Sequence, residues 1–195
     1  MAKVKVRPFD SLIIVDMQND FMPGGALPVP KGDEIVNVIN EYISIFSKSN
    51  AFIVATRDWH PPNHVSFNTV GGPWPPHCIQ GTWGAEFHPS LALPANALIV
   101  SKATRPDKEA YSGFEDTDLN MALRRRGVKR LFICGVATDY CVKATALDGI
   151  RLGFQVFLLI DAVKGVNIPP GSEERAVDEM LDEGAVIVSI NELSI

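Results

Sequence analysis

Leu131-Phe132-Ile133-Cys134-Gly135-Val136-Ala137-Thr138-Asp139-Tyr140-Cys141 is the stretch on which the reading of this chain turns. Leu131 to Cys134 form an apolar run that suits a buried strand, and Gly135 breaks it. Thr138 is placed to cap a helix that runs through Cys141 to about Arg151. Cys141 then falls at the third helical position. There the unpaired amide N–H groups and the positive end of the helix dipole favour an anion over a neutral thiol. A free cysteine titrates near pKa ~8.5, and a helix N-terminus is one of the environments that lower it. Strand, sharp turn and a nucleophile-capable residue at a helix start put the expected chemistry here.

The same alternation continues on both sides. Ser11 to Asp16 reads as a buried strand ending in an acid, and a helical pattern follows from about Asp33 to Lys48, with Ile35, Val36, Ile39, Ile43 and Phe46 on one side. Ala51 to Thr56 is a second strand, followed directly by Arg57-Asp58-Trp59-His60. Ala97 to Ser101 is a third, with Lys102 at its end. Asp118 to Arg126 is a helix stopped by Gly127, Phe154 to Ile160 a strand ended by Asp161, Ser172 to Glu183 a helix capped by Ser172, and Ala185 to Val188 the last strand. Apolar strands alternating with helices predict a parallel sheet covered on both faces. Such sheets bind ligands at the carboxyl ends of their strands. Asp16, Asp58, His60, Lys102 and Cys141 all lie at or just past those ends.

Between Pro61 and about Ala97 the prolines and glycines exclude long regular elements. Phe67, Trp74, Ile79, Trp83 and Phe87 are too many large apolar groups for disorder, so this segment is expected to form an ordered cover over a site.

Length and composition bound the possibilities. With 195 residues, 46% hydrophobic and 21% charged, the chain is expected to be one α/β domain spanning 1–195. A net charge of −5 argues against nucleic-acid or anionic-membrane partners, and Arg124-Arg125-Arg126 reads as a solvated helix end. The stretch Met1 to Asp10 has no apolar segment of signal-peptide length, and no apolar run approaches the ~20 residues of a membrane span. Three cysteines without a C-x-x-C pair point to reduced thiols in the cytoplasm.

Cys134, inside its apolar strand, reads as packing; Cys141 reads as the nucleophile. No histidine lies near it in the pattern. Asp16 is available to take the thiol proton, and Lys102 to stabilise a thiolate and orient Asp16. Taken alone, Asp16 reads equally well as a satisfied strand-end acid and Lys102 as a surface lysine. Asp58-x-His60, with His77 further along, supplies oxygen and nitrogen donors that suit zinc, iron or manganese. His64 is a candidate extra ligand or outer neighbour, His88 a surface residue. Phe21, Trp74 and Tyr111 come from three loops that overhang the strand ends, where they would suit a flat ring.

Five motifs together resemble nicotinamidases of the isochorismatase-like cysteine hydrolase superfamily: Ile13-Ile14-Val15-Asp16-Met17-Gln18-Asn19-Asp20-Phe21, Thr56-Arg57-Asp58-Trp59-His60-Pro61, Trp74-Pro75-Pro76-His77-Cys78, Ser101-Lys102-Ala103 and Gly135-Val136-Ala137-Thr138-Asp139-Tyr140-Cys141. The resemblance implies a three-layer α/β/α fold with a six-stranded parallel sheet, order 3-2-1-4-5-6. It implies hydrolysis of nicotinamide to nicotinate and ammonia, with a place in NAD salvage; how well analogues such as pyrazinamide are accepted is left open by the sequence. By motif, Asp16 is the general base, Lys102 its support and Cys141 the nucleophile of a thioester route. Asp58, His60 and His77 would hold one divalent metal (zinc first, iron or manganese as alternatives) that ligates the pyridine nitrogen. Phe21, Trp74 and Tyr111 would line the ring pocket. The backbone N–H groups of Ala137 and Cys141 would form the oxyanion hole, with the Val136–Ala137 peptide cis.

In that strand order the third strand lies two positions from the first, ~9–10 Å away. Lys102 must therefore reach across the end of the second strand to touch Asp16. The rival readings are a sibling hydrolase acting on a ureido or carbamoyl amide, a non-catalytic ligand-binding protein, and a thiol redox sensor. The siblings generally lack the D-x-H pair and later histidine, and the sensor lacks a resolving cysteine. Whether the chain acts as a monomer or a homo-oligomer is left open by the sequence.

Overall fold

The structure, a computed structural model, describes residues 3–195; Met1 and Ala2, at the start of the stretch read for a leader, lie outside the described residues. Its strands are β1 (Val4–Lys5), β2 (Asp10–Val15), β3 (Phe52–Asp58), β4 (Leu98–Lys102), β5 (Arg130–Val136), β6 (Gln155–Lys164), β7 (Val186–Val188) and β8 (Leu193–Ser194). Its α-helices are α1 (Val36–Lys48), α2 (Leu119–Arg125), α3 (Lys143–Arg151) and α4 (Ser172–Asp182). β2 to β7 form one parallel sheet in the order β4-β3-β2-β5-β6-β7, the expected 3-2-1-4-5-6.

Strand residues alternate between two cores, as the two-residue period of a strand requires. Leu12, Ile14, Phe132 and Cys134 pack on one face with Ile39, Tyr42 and Phe46 of α1. Ile13, Val15, Leu131 and Ile133 pack on the other with Leu123 of α2, Ala146 of α3 and Met180 of α4. Every residue of β2 is buried, which is why Leu12 to Val15 read as an unbroken apolar run. At Gly135 the backbone has φ +110°, and a Cβ there would run into the Val15 carbonyl of the neighbouring strand. The glycine sits inside β5, where it permits close approach of two strands, rather than ending it.

The expected elements are present with shifted ends. β3 runs on to Asp58, and β6 continues to Lys164 through a register shift against β5, so Asp161 lies within the strand. The Asp161 carboxylate accepts the Tyr42 hydroxyl at 2.6 Å and the Ile190 N–H at 2.9 Å. Ser172 does not cap α4: Gly171 holds that place, and the Ser172 hydroxyl donates to Asp139. β1 and β8 pair as a separate parallel ribbon that no sequence pattern signalled. The segment after Pro61 is ordered, with Phe67 buried against His60 and His77, but Trp83 is 62% exposed and is not part of the cover. Among the described residues, no helix is long and apolar enough to cross a membrane.

Candidate active site

The largest departure from the sequence reading lies at Cys141. No α-helix starts at Thr138. Residues Thr138–Val142 form one π-turn and α3 begins only at Lys143, so Cys141 is not at the third position of an α-helix. The Ala137 carbonyl closes the turn by accepting the N–H groups of Tyr140 (3.0 Å) and Val142 (3.1 Å). The Thr138 hydroxyl is not a cap; it donates to Glu173 Oε1 at 2.9 Å. Single π-turns of this kind occur frequently at functional sites. The Val136–Ala137 peptide is cis, as the resemblance implies.

Lys102 does cross the end of β3. Its Nζ lies 3.0 Å from Asp16 Oδ2 and 3.4 Å from Cys141 Sγ, and donates to Asp58 Oδ1 and to the Ala110 carbonyl, the latter at 3.3 Å. The lysine is 1% exposed, so its charge is tolerable only because two carboxylates accompany it. Asp16 leaves the sheet with a left-handed backbone (φ +49°), and its Oδ1 accepts the Thr56 hydroxyl at 2.7 Å. Of the two readings left open for Asp16 and Lys102, the surface-lysine one is excluded by burial.

Charge states follow from this packing. Burial pushes the Cys141 thiol well above its ordinary value; Lys102 opposes the shift, while Asp16 and Asp58 add to it. The thiolate expected from a helix dipole is therefore not the resting form. Burial likewise raises the Asp16 carboxyl against the pull of Lys102, with Asp58 adding to the rise. Burial opposes the Lys102 charge, but Asp16 and Asp58 together hold its ammonium firmly protonated. The site at rest is a neutral thiol beside a caged cation.

Asp58, His60 and His77 bring donor atoms within 4.8 Å of one another. His60 Nδ1 bonds the His77 carbonyl at 2.9 Å and His77 Nδ1 bonds the Pro75 carbonyl at 2.7 Å. A carbonyl only accepts, so each Nδ1 carries the proton and each Nε2 keeps its lone pair, as in metal-ligating imidazoles. His60 Nε2 is buried without a hydrogen-bond partner. An orphaned basic nitrogen beside a second imidazole and a carboxylate is a donor set that fits a divalent ion. His64 packs 4.2 Å from the His60 ring, but its Nδ1 is paired with Ser66 Oγ (2.7 Å) and its Nε2 with the Lys108 carbonyl (3.0 Å). It stands as an outer neighbour. Gln18 fixes the end of β3 by donating to the Asp58 carbonyl and accepting the Asp58 N–H, both at 2.8 Å.

Phe21, Trp74 and Tyr111 line one pocket with Asp58, His77, Ala137 and Cys141. Trp74 Nε1 donates to the Tyr111 hydroxyl at 3.1 Å. Tyr140 closes the same wall, edge-on to Trp74 with ring centroids 5.3 Å apart. Tyr140, Val166 and Glu109 were missed by sequence reasoning. Glu109 Oε1 lies 3.9 Å from His60 Nε2, a proximity no local spacing signals; Tyr140 stood in plain view beside Cys141. Cys134 is buried, with its sulfur 3.7 Å from the Ile13 carbonyl, and is packing as expected.

A buried thiol, carboxylate and lysine at the strand ends of this sheet place the chain in a family of hydrolases. The chain belongs to the isochorismatase family, whose Isochorismatase domain matches residues 10–192. It is similar to the nicotinamidase of Escherichia coli (strain K12), with 38% identity covering 94% of this chain and 96% of that one. Among solved structures it is similar to the pyrazinamidase of Pyrococcus horikoshii in complex with zinc, with 62% identity and a TM-score of 0.91 over 94% of this chain and all of that one (100%). PnC1 from L. infantum in complex with nicotinate is 38% identical, with a TM-score of 0.90 over 98% of each chain.

Proposed function

We propose that this amide hydrolase of the isochorismatase family converts nicotinamide to nicotinate and ammonia, with Cys141 as nucleophile and Asp16 as general base. The single observation that carries the reading is the position of Lys102 Nζ, in contact with both Asp16 and Cys141. The raised Asp16 carboxyl supports its role, because a base matched to the thiol it deprotonates transfers the proton more readily. Asp16 takes the thiol proton as Cys141 Sγ bonds to the carboxamide carbon. The backbone N–H groups of Ala137 and Cys141 receive the oxyanion; removing one such donor typically costs ~3–4 kcal/mol. Asp16 then returns the proton to the departing nitrogen, the C–N bond breaks, and ammonia leaves. Water, deprotonated by Asp16, adds to the thioester, and the C–S bond breaks to release nicotinate and restore the thiol.

Phe21, Trp74 and Tyr111, which line the pocket, would pack against the flat ring. Asp58, His60 and His77 would hold one divalent metal, with zinc favoured by the Asp-His-His donor set and iron or manganese as alternatives. When bound, the metal would supply a Lewis-acid contact to the pyridine nitrogen that orients the ring. The test is ammonia release from nicotinamide by chelator-stripped protein, before and after adding back zinc, iron or manganese, with nicotinamide binding followed by calorimetry. Recovery of turnover and binding with one of these ions is expected. No ammonia from the metal-loaded protein overturns the function, and full binding after exhaustive stripping overturns the metal's role.

A further inference from the structure

Asp139 lies two residues before Cys141 in the π-turn and takes no part in the mechanism above. The residue is 9% exposed and its carboxylate is fully engaged: Oδ1 accepts the Val166 N–H at 2.9 Å, and Oδ2 accepts the Asn167 N–H at 2.9 Å and the Ser172 hydroxyl at 2.6 Å. Val166 lines the ring pocket beside Ala137 and Cys141. Asn167 and Ser172 lead into α4, and one residue earlier the Thr138 hydroxyl ties the same turn to Glu173 of that helix.

We infer that Asp139 is a positioning residue, which locks the turn that carries Cys141 to the segment that forms the Val166 wall of the pocket. The inference rests on the proposed amide hydrolysis. Both carboxylate oxygens are taken up by donors outside the turn, so the contribution of Asp139 is geometric rather than electrostatic. The π-turn is a single turn with few internal hydrogen bonds of its own, and a productive site must be held to within ~0.5 Å. Three donors converge from outside the turn, and a carboxylate has two acceptor oxygens to take them. An amide side chain of the same shape has one acceptor oxygen, so Asp139→Asn cannot accept all three.

The test compares zinc-loaded wild type with Asp139→Ala, Asp139→Asn and Ser172→Ala. The measurements are kcat and KM for nicotinamide, affinity for nicotinaldehyde and nicotinate, and the alkylation rate of Cys141 by iodoacetamide. With the aldehyde, Sγ bonds to the carbonyl carbon and the thiol proton ends on its oxygen, so affinity reads the oxyanion geometry without a leaving group. In Asp139→Ala, kcat and aldehyde affinity are expected to fall roughly 10- to 100-fold, as misplacements of about 1 Å do, while nicotinate affinity and KM change far less. Asp139→Asn falls between that variant and wild type, and Ser172→Ala shows the smallest loss. Asp139→Asn and Ser172→Ala carry the test if Asp139→Ala does not fold. Variants that melt earlier but keep wild-type kcat, aldehyde affinity and alkylation rate would make Asp139 a structural tie only and overturn the inference. A wild type that releases no ammonia sinks the proposed function instead. The alkylation rates, which need no substrate, then still decide the role of Asp139: slowing in the order given supports it, and unchanged rates refute it.

Discussion

The Lys102 ammonium touches the Cys141 sulfur at 3.4 Å while it pairs with Asp16 at 3.0 Å, so one buried cation joins the thiol to the carboxylate. The long lysine side chain is what makes this possible. It starts at the end of β4, two strands away from β2 in the sheet, and passes over the end of β3. A shorter residue at that position could not serve both groups.

Lys102→Ala therefore leaves Asp16 and Asp58 buried without their shared counter-charge. Breaking a buried ion pair by removing one partner costs about 3–5 kcal/mol, so the urea midpoint should fall sharply and turnover should be lost. A Lys102→Ala protein of wild-type stability would show that the two carboxylates do not depend on the cation.

The state of the Cys141 thiol is directly measurable. Because burial, with Asp16 and Asp58, outweighs Lys102, the folded pKa is raised, and the thiolate appears only as pH climbs above the ordinary cysteine value of ~8.5. Iodoacetamide alkylation of the free enzyme should accordingly be slow at neutral pH and rise on the alkaline side of a small-thiol standard. An alkylation rate that is already at its plateau near neutrality would restore the helix-dipole picture.

How far the sequence could be read depended on whether the deciding neighbours were local. The β2 and β5 runs around Ile13 and Ile133 were legible because central parallel strands are buried on both faces. The two-residue β1 and β8 carry no such pattern. Thr138 reads as a cap because Ser and Thr before a helix usually are caps. Its actual partner, Glu173, is 35 residues away, and a π-turn leaves no mark in composition. The thiol was misjudged for the same reason: a helix dipole is a local property, whereas Asp16, Asp58 and the burial of Cys141 come from other strands. Asp58, His60 and His77 stand out in the sequence because their residue types are themselves the signal, and the fold brings their donor atoms together. Glu109 and Asp139 are ordinary acids until the fold places them.

Gly135 gives a sharp backbone test. Its φ of +110° and the Val15 carbonyl against its missing Cβ both oppose any side chain. Gly135→Ala should destabilise the protein by at least ~2 kcal/mol, since unfavourable φ/ψ regions alone cost 1–3 kcal/mol. A thermal melt superimposable on wild type would contradict this close packing of β2 on β5.

The proposed metal site separates His77 from His64. His77→Ala removes a donor and should abolish stoichiometric zinc binding in a chelator competition titration. His64→Gln touches only a neighbour whose nitrogens face Ser66 and Lys108, and should weaken zinc by no more than about tenfold, the low end for outer partners. Equal losses in the two variants would make His64 a ligand.

The most direct test is the simultaneous assay of ammonia and nicotinate released from nicotinamide by zinc-loaded wild type and Cys141→Ala. The predicted result is equimolar products from the wild type and a loss of at least ~10⁴-fold in the variant, the scale on which removing a catalytic nucleophile acts. Substantial turnover by Cys141→Ala, or none by the wild type, would contradict hydrolysis of nicotinamide by attack of Cys141.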